Sequence, residues 1–182
     1  YEYGCGVEQD YDQAFYWYDS GAKTGNVRCM HNLGWCYESG RGVERNWQKA
    51  LEWYHRSAEA GYEYSQCILG VCYEKGLGVE QSDSRAFYWY DKAAQSGCAD
   101  ALNHLGRCYE TGCGTEVDLV RAAKSFQAAA ERGNEDAMVS LAGCYEYGKG
   151  VERDLHKAME LYQQLAEKGN AAADYNVGRH ME

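Results

Sequence analysis

The sequence predicts an all-α chain, an α-solenoid of stacked two-helix repeats. Three observations carry this: a 36-residue period with nothing inserted, apolar stripes at helical spacing within each period, and the complete absence of proline. The period shows first in a Gly-x-Gly pair at Gly4/Gly6, Gly40/Gly42, Gly76/Gly78, Gly112/Gly114 and Gly148/Gly150. Another glycine recurs at Gly25, Gly61, Gly97, Gly133 and Gly169. Leu33, Leu69, Leu105, Leu141 and Val177 keep phase with them, as do Tyr37, Tyr73, Tyr109 and Tyr145. A loop-rich all-β chain of 182 residues would rarely dispense with proline, whereas stacked helices have no use for it.

Each period reads as two helices. The first, helix A, spans about Val27 to Glu38 in its first copy, where Met30, Leu33, Gly34 and Tyr37 form one stripe. Gly34 recurs as Gly70, Gly106 and Gly178, with Ala142 and Gly143 in the remaining copy. Glycine inside a helix costs about 1 kcal/mol against alanine, so its recurrence predicts close approach of a neighbouring helix. The Gly-x-Gly pair ends helix A, its glycines suited to a left-handed cap and the turn after it.

Helix B begins after Asp10, Asn46, Ser82, Asp118 and Asp154, all side chains able to accept a hydrogen bond from a free N–H at a helix start. Ala14, Ala50, Ala86, Ala122 and Ala158 recur in helix B, followed by the pairs Trp17-Tyr18, Trp53-Tyr54, Trp89-Tyr90, Ser125-Phe126 and Leu161-Tyr162. Alanine admits a close neighbour and the large residues fill the space between copies. Gly25 and its copies close helix B. Residues 1–182 thus form one array: four A–B hairpins at about 27–61, 63–97, 99–133 and 135–169, flanked by a helix B at 10–24 and a helix A at 171–182. The chain opens in mid-repeat on Tyr1, which predicts a fragment of a longer protein.

Composition narrows the partners. A net charge of −10 and a pI near 5.0 have the wrong sign for a phosphate backbone, so no nucleic-acid partner is expected. No apolar run approaches the roughly 18–20 residues that cross a bilayer, so no membrane insertion is expected.

The series Leu33, Gly34, Tyr37, Gly40, Gly42, Val43, Asn46, Lys49, Ala50, Trp53, Tyr54, Ala58 and Gly61 resembles the Sel-1-like repeat, the 36-residue relative of the tetratricopeptide repeat. The resemblance covers the whole chain in strict phase. It implies a right-handed superhelix with helix A on the concave side, in a family whose members mostly act as adaptors that assemble complexes. Thr115 in place of valine and Ser125 in place of tryptophan depart from the pattern, and looser packing is expected there.

On helix A, the residues opposite the stripe do not repeat. They are Arg28, Asn32, Trp35 and Ser39; then Tyr64, Ile68, Val71 and Lys75; then Asp100, His104, Arg107 and Thr111; then Asp136, Ser140, Gly143 and Tyr147; and last Ala172, Asn176 and Arg179. Solvated positions drift, but variation along one ribbon is also what a partner-reading surface shows. The large side chains Trp35, Ile68, Val71 and Tyr147 favour the second reading, since aromatic residues anchor interfaces.

Chemical sites are less well supported. Cys36, Cys72, Cys108 and Cys144 share one phase beside the tyrosine and read as small packing residues, roughly 9–10 Å from copy to copy and beyond direct bridging. No C-x-x-C occurs among the nine cysteines, so no structural zinc is expected. Reduced thiols would suit a cytoplasmic setting. The histidines fall at differing phases, and the Gly-x-Gly pairs follow helices, so neither a nucleophile nor a phosphate loop is indicated. No cofactor is implied.

Glu38, Glu74, Glu110, Glu146 and Glu182 recur at the end of helix A, where a carboxylate opposes the helix dipole. Lys49, Arg85, Arg121 and Lys157 of helix B are the expected partners in a pair holding each hairpin. One branch of the resembling family joins a cysteine from each helix in a disulfide and is linked to β-lactams, but this chain lacks that regular pairing.

The leading expectation is a non-enzymatic scaffold that binds a protein or peptide on its helix-A face. The alternative is a small-molecule or β-lactam-binding or hydrolysing repeat protein. Self-association through unsealed terminal helices is a third reading.

Overall fold

The computed structural model describes residues 10–170, and every regular element among them is an α-helix. Unit 1 extends to Ser96 and unit 2 begins at Gly97. Unit 1 contains α1 (Tyr11–Lys23), α2 (Val27–Ser39), α3 (Trp47–Glu59), α4 (Glu63–Lys75) and α5 (Asp83–Gln95). Unit 2 contains α6 (Ala99–Thr111), α7 (Leu119–Ala130), α8 (Glu135–Tyr147) and α9 (Leu155–Glu167). Within each unit every helix packs on the next along the chain. The terminal helix A expected at 171–182, with Ala172, Asn176 and Arg179, lies outside the described residues.

All five expected helix-B caps form. Asp10, Asn46, Ser82, Asp118 and Asp154 each accept from the backbone N–H three residues on. The same residues close the turn behind them. The N–H groups of Asn46, Ser82, Asp118 and Asp154 donate to the carbonyls of Tyr37, Tyr73, Tyr109 and Tyr145 at 2.8–2.9 Å. One residue therefore starts a helix and ties it to the end of its predecessor.

Among the described residues the two glycines of a Gly-x-Gly pair do different work, as Gly40/Gly42 and Gly148/Gly150 show. The first is the left-handed cap of helix A, as at Gly40 with φ 73° and its N–H on Cys36 O at 2.9 Å. The second presses on the preceding helix B. A Cβ at Gly42 would lie 2.2 Å from the carbonyl oxygen of Tyr11, and one at Gly150 would lie 1.9 Å from that of Leu119. Tyr11 and Leu119 are the first residues of α1 and α7.

The glycine inside helix A has the close neighbour expected of it. A Cβ at Gly34 would meet the Tyr54 ring at 2.8 Å, one at Gly70 the Tyr90 ring at 2.4 Å, and one at Gly106 the Phe126 ring at 2.5 Å. Each ring belongs to helix B of the same hairpin. Tyr54, Tyr90 and Phe126 are accordingly buried, as are Ala50, Ala86, Ala122 and Ala158. The looser packing expected around Ser125 is not found within its hairpin: Ser125 is buried, and Phe126 joins Ala122, Ala129, Ala137 and Leu141 in one core cluster. Three small alanine side chains (Ala122, Ala123, Ala129) let the helices close on that ring.

A polar chain crosses the core of unit 1. Ser57 Oγ donates to Val27 O and Ser65 Oγ donates to Ser57 Oγ, both at 2.8 Å. With both hydroxyl hydrogens committed, the 2.9 Å contact between His31 and Ser65 Oγ requires the imidazole Nδ1–H to donate. Burial lowers the His31 pKa from 6.5, and burial also lowers that of His55 against an opposing pull from Glu59. Because the folded pKa values are depressed, the unfolded chain takes up these protons first. Their contribution to stability is complete above 6.5 and falls as pH drops through that value. Melts between neutral pH and about pH 5 are expected to show a falling Tm, with a shallower fall in H31Q.

Candidate functional site

The recurring glutamates at the end of the described A helices take partners that charge alone did not predict. The Tyr54 hydroxyl donates to Glu38 Oε2 at 2.5 Å, Tyr90 donates to Glu74, and Tyr162 donates to Glu146 at 3.1 Å. The cations of helix B lie over the helix-A tyrosine rings instead: Lys49 over Tyr37 at 5.3 Å, Arg85 over Tyr73 at 5.5 Å, Arg121 over Tyr109 at 5.6 Å and Lys157 over Tyr145 at 5.3 Å. The reason is geometric. The phenol lies against the interior glycine, four residues before the glutamate, and its hydroxyl reaches the carboxylate from inside the hairpin. In the remaining copy Phe126 has no hydroxyl, and Glu110 receives Lys149 Nζ at 2.8 Å. That pair raises the lysine pKa, chiefly through the hydrogen bond. Glu38, Glu74 and Glu146 are therefore occupied in holding their hairpins together, and Glu110 in a bond to the following repeat.

The cysteines are placed as packing residues. Cys36, Cys72, Cys108 and Cys144 are buried, and burial pushes the Cys72 thiol up to about 12 and raises that of Cys144. A thiol so shifted is a poor nucleophile and a poor metal ligand at neutral pH. Among the described residues no group of His, Cys, Asp and Glu is arranged to hold a metal ion. No described helix is long and apolar enough to cross a membrane.

The twelve predicted partner-binding residues all lie on helix A copies, and none is buried. In unit 1, Arg28, Asn32 and Trp35 stand on α2, and Tyr64, Ile68 and Val71 on α4. The two helices are bridged by aromatic contacts, His31 to Tyr62 at 5.3 Å and Tyr62 to Tyr64 at 5.5 Å. Trp35 is half-buried with the Arg41 guanidinium 4.4 Å from its ring, whereas Tyr64 is 51% exposed.

In unit 2, Asp100, His104 and Arg107 stand on α6, and Asp136, Ser140 and Tyr147 on α8. Asp100 accepts from Asn134, whose own side chain caps α8, so this carboxylate also links the two repeats. The Ser140 hydroxyl donates to Asp136 O of its own helix. Tyr147 is 59% exposed.

Sequence reasoning passed over one feature. In unit 2, α7, α8 and α9 line a groove of about 380 Å³ whose walls include Met138, Leu141, Tyr145 and Leu161. Its only signal in the sequence is Leu161, standing in the phase of Trp17, Trp53 and Trp89.

Comparison with known proteins gives a consistent picture. The Sel1 repeat family matches at residues 1–26, 27–62, 63–98, 99–134 and 135–170. A protective antigen of uropathogenic Escherichia coli strains, described as displaying an SLR fold, superposes with a TM-score of 0.91 at 35% identity over 98% of this chain and 38% of its own. A Sel1 repeat protein from Oxalobacter formigenes gives 0.89 at 30% identity, over 94% of this chain and 70% of its own. An immunity protein from Pseudomonas aeruginosa gives 0.60 at 25% identity, over 91% of this chain and 61% of its own. This chain thus spans well under half of the first of these proteins. No curated protein sequence matches it at a significant level.

Proposed function

This chain belongs to the Sel1 repeat family, whose repeats generally mediate protein–protein interactions, and we propose that it is a non-enzymatic scaffold holding a protein or peptide across the non-repeating face of its A helices. One observation supports this above the others. Most side chains that recur with the period are buried or engaged in hairpin contacts, Trp17 and Trp53 excepted, while the twelve that vary are at least partly open to solvent. Selection for the fold fixes the first set and leaves the second available for recognition. Each unit by itself mixes aromatic and charged side chains on this face, Tyr64 with Arg28 in unit 1 and Tyr147 with Asp100, Arg107 and Asp136 in unit 2, the composition expected of a specific interface.

The test is capture of a partner from the native host, followed by affinity measurement on purified components. Tyr64→Ala and Arg107→Ala are expected to weaken binding by about tenfold or more each, a loss of roughly 1.4 kcal/mol. Both residues are exposed, so Tm should stay within about 2 °C of the parent, as for most surface substitutions. Trp35→Ala should weaken binding too, with a modest fall in Tm from loss of its Arg41 contact. Unchanged affinity in Y64A and R107A, or a large fall in Tm in both, would sink the proposal.

A further inference from the structure

The groove in unit 2 has a filled counterpart two periods earlier. Among α3, α4 and α5, Trp89 stands where Leu161 stands, Tyr73 where Tyr145 stands, and His55 where Gln127 stands. Trp89 is 8% exposed and meets His55 edge-on at 5.6 Å, and His55 in turn meets Tyr73 at 6.3 Å. In unit 2 leucine replaces the indole. Gln127 leaves the space open as well, since its amide turns to Glu131 at 3.0 Å. The groove is thus a place built by the repeat for an aromatic ring that this copy does not supply.

We infer that this groove binds one large aromatic side chain, an indole above all, presented by a partner protein. About 380 Å³ lies near the lower end of ligand-sized cavities, room for a single ring system. Met138 offers a polarisable thioether, a favourable neighbour for an aromatic face. Lys157 Nζ lies 5.3 Å from the Tyr145 ring at the groove wall, as the Arg85 guanidinium lies 5.5 Å from Tyr73 beside Trp89 in unit 1. Glu131 and Glu160 line the same groove and can accept from an indole N–H, which phenylalanine lacks. The groove shares no residue with Asp136, Ser140 and Tyr147 on α8. Failure of either site leaves the other standing.

The test is methyl NMR of the whole chain titrated with N-acetyl-tryptophanamide, with N-acetyl-leucinamide as comparison. Saturable shifts at the Met138, Leu141 and Leu161 methyls are expected with a millimolar Kd for the tryptophan amide, and markedly smaller ones for the leucine amide. L161W restores the residue of Trp89 and should abolish the shifts at Met138 and Leu141. M138A removes the thioether from the groove wall and should weaken binding several-fold. If L161W does not fold, M138A decides. Absence of saturable shifts, equal response to both amides, or unaltered binding in M138A would overturn the inference. Shifts that appear on concentrating the chain alone and vanish in L161W would assign the groove to a second copy, and would overturn it as well.

Discussion

Gly150→Ala is expected to lower Tm by on the order of 10 °C, since each kcal/mol moves a chain of this size by about 2–4 °C. Two costs add. The backbone at Gly150 has φ 70°, where a Cβ costs roughly 1–2 kcal/mol. That Cβ would also stand 1.9 Å from the Leu119 carbonyl oxygen and 2.3 Å from its carbon, both main-chain atoms that no rotamer change can move. Overpacking of this kind adds up to roughly 3 kcal/mol, and the backbone must part to relieve it. Gly133→Ala is the control. Its φ of 85° imposes the same conformational cost, but nothing lies within 4 Å of the new atom. A fall of roughly 3–6 °C is expected there. Thermal melts of the two variants side by side check this, and equal losses would mean that the contact with Leu119 contributes nothing.

Tyr54→Ala is expected to cost roughly 3–5 kcal/mol, the range for deleting a buried aromatic ring. Tyr54 is 1% exposed, with its ring against Gly34 and its hydroxyl on Glu38. Tyr54→Phe separates the two contributions. The ring stays, and only the hydrogen bond to a charged acceptor is lost, worth roughly 1.5–3 kcal/mol. Burial, reinforced by Glu38, holds the phenol pKa far above its ordinary value, so the donor keeps its proton wherever the chain is folded. Denaturant titrations of both variants give the two numbers. If Y54F is as stable as the parent, Glu38 is satisfied by other means and the hairpin clasp is decorative.

The repeat itself was legible because it is written many times. Period, caps and interior glycines each recur in phase, and the structure places them as their chemistry requires. Partnership between recurring groups was not legible in the same way. Glu38 recurs in phase with both Lys49 and Tyr54, and charge alone favours the lysine. Only packing shows that the phenol, held against Gly34, approaches from inside while the lysine rests on Tyr37. Phe126 carried the clue, since losing the hydroxyl there coincides with Lys149 reaching Glu110. The groove was hidden for the opposite reason. Leu161 is as apolar as the tryptophan it replaces, so patterning treats the two alike, and the space opens through their difference in volume and the turning away of Gln127.

The contact made by Gly42 and Gly150 has a consequence for how such a chain can change over generations. The nearest atoms there are main-chain carbonyls, of Tyr11 and of Leu119, whereas the equivalent Gly78 meets the side chains of Leu51 and Trp47, so the joint accepts either kind of neighbour. Copies can then be duplicated, lost or exchanged as whole units of fixed gauge. Length and recognition become independent variables. One is set by how many copies the gene carries, the other by what each copy displays on the face that the period leaves free to vary.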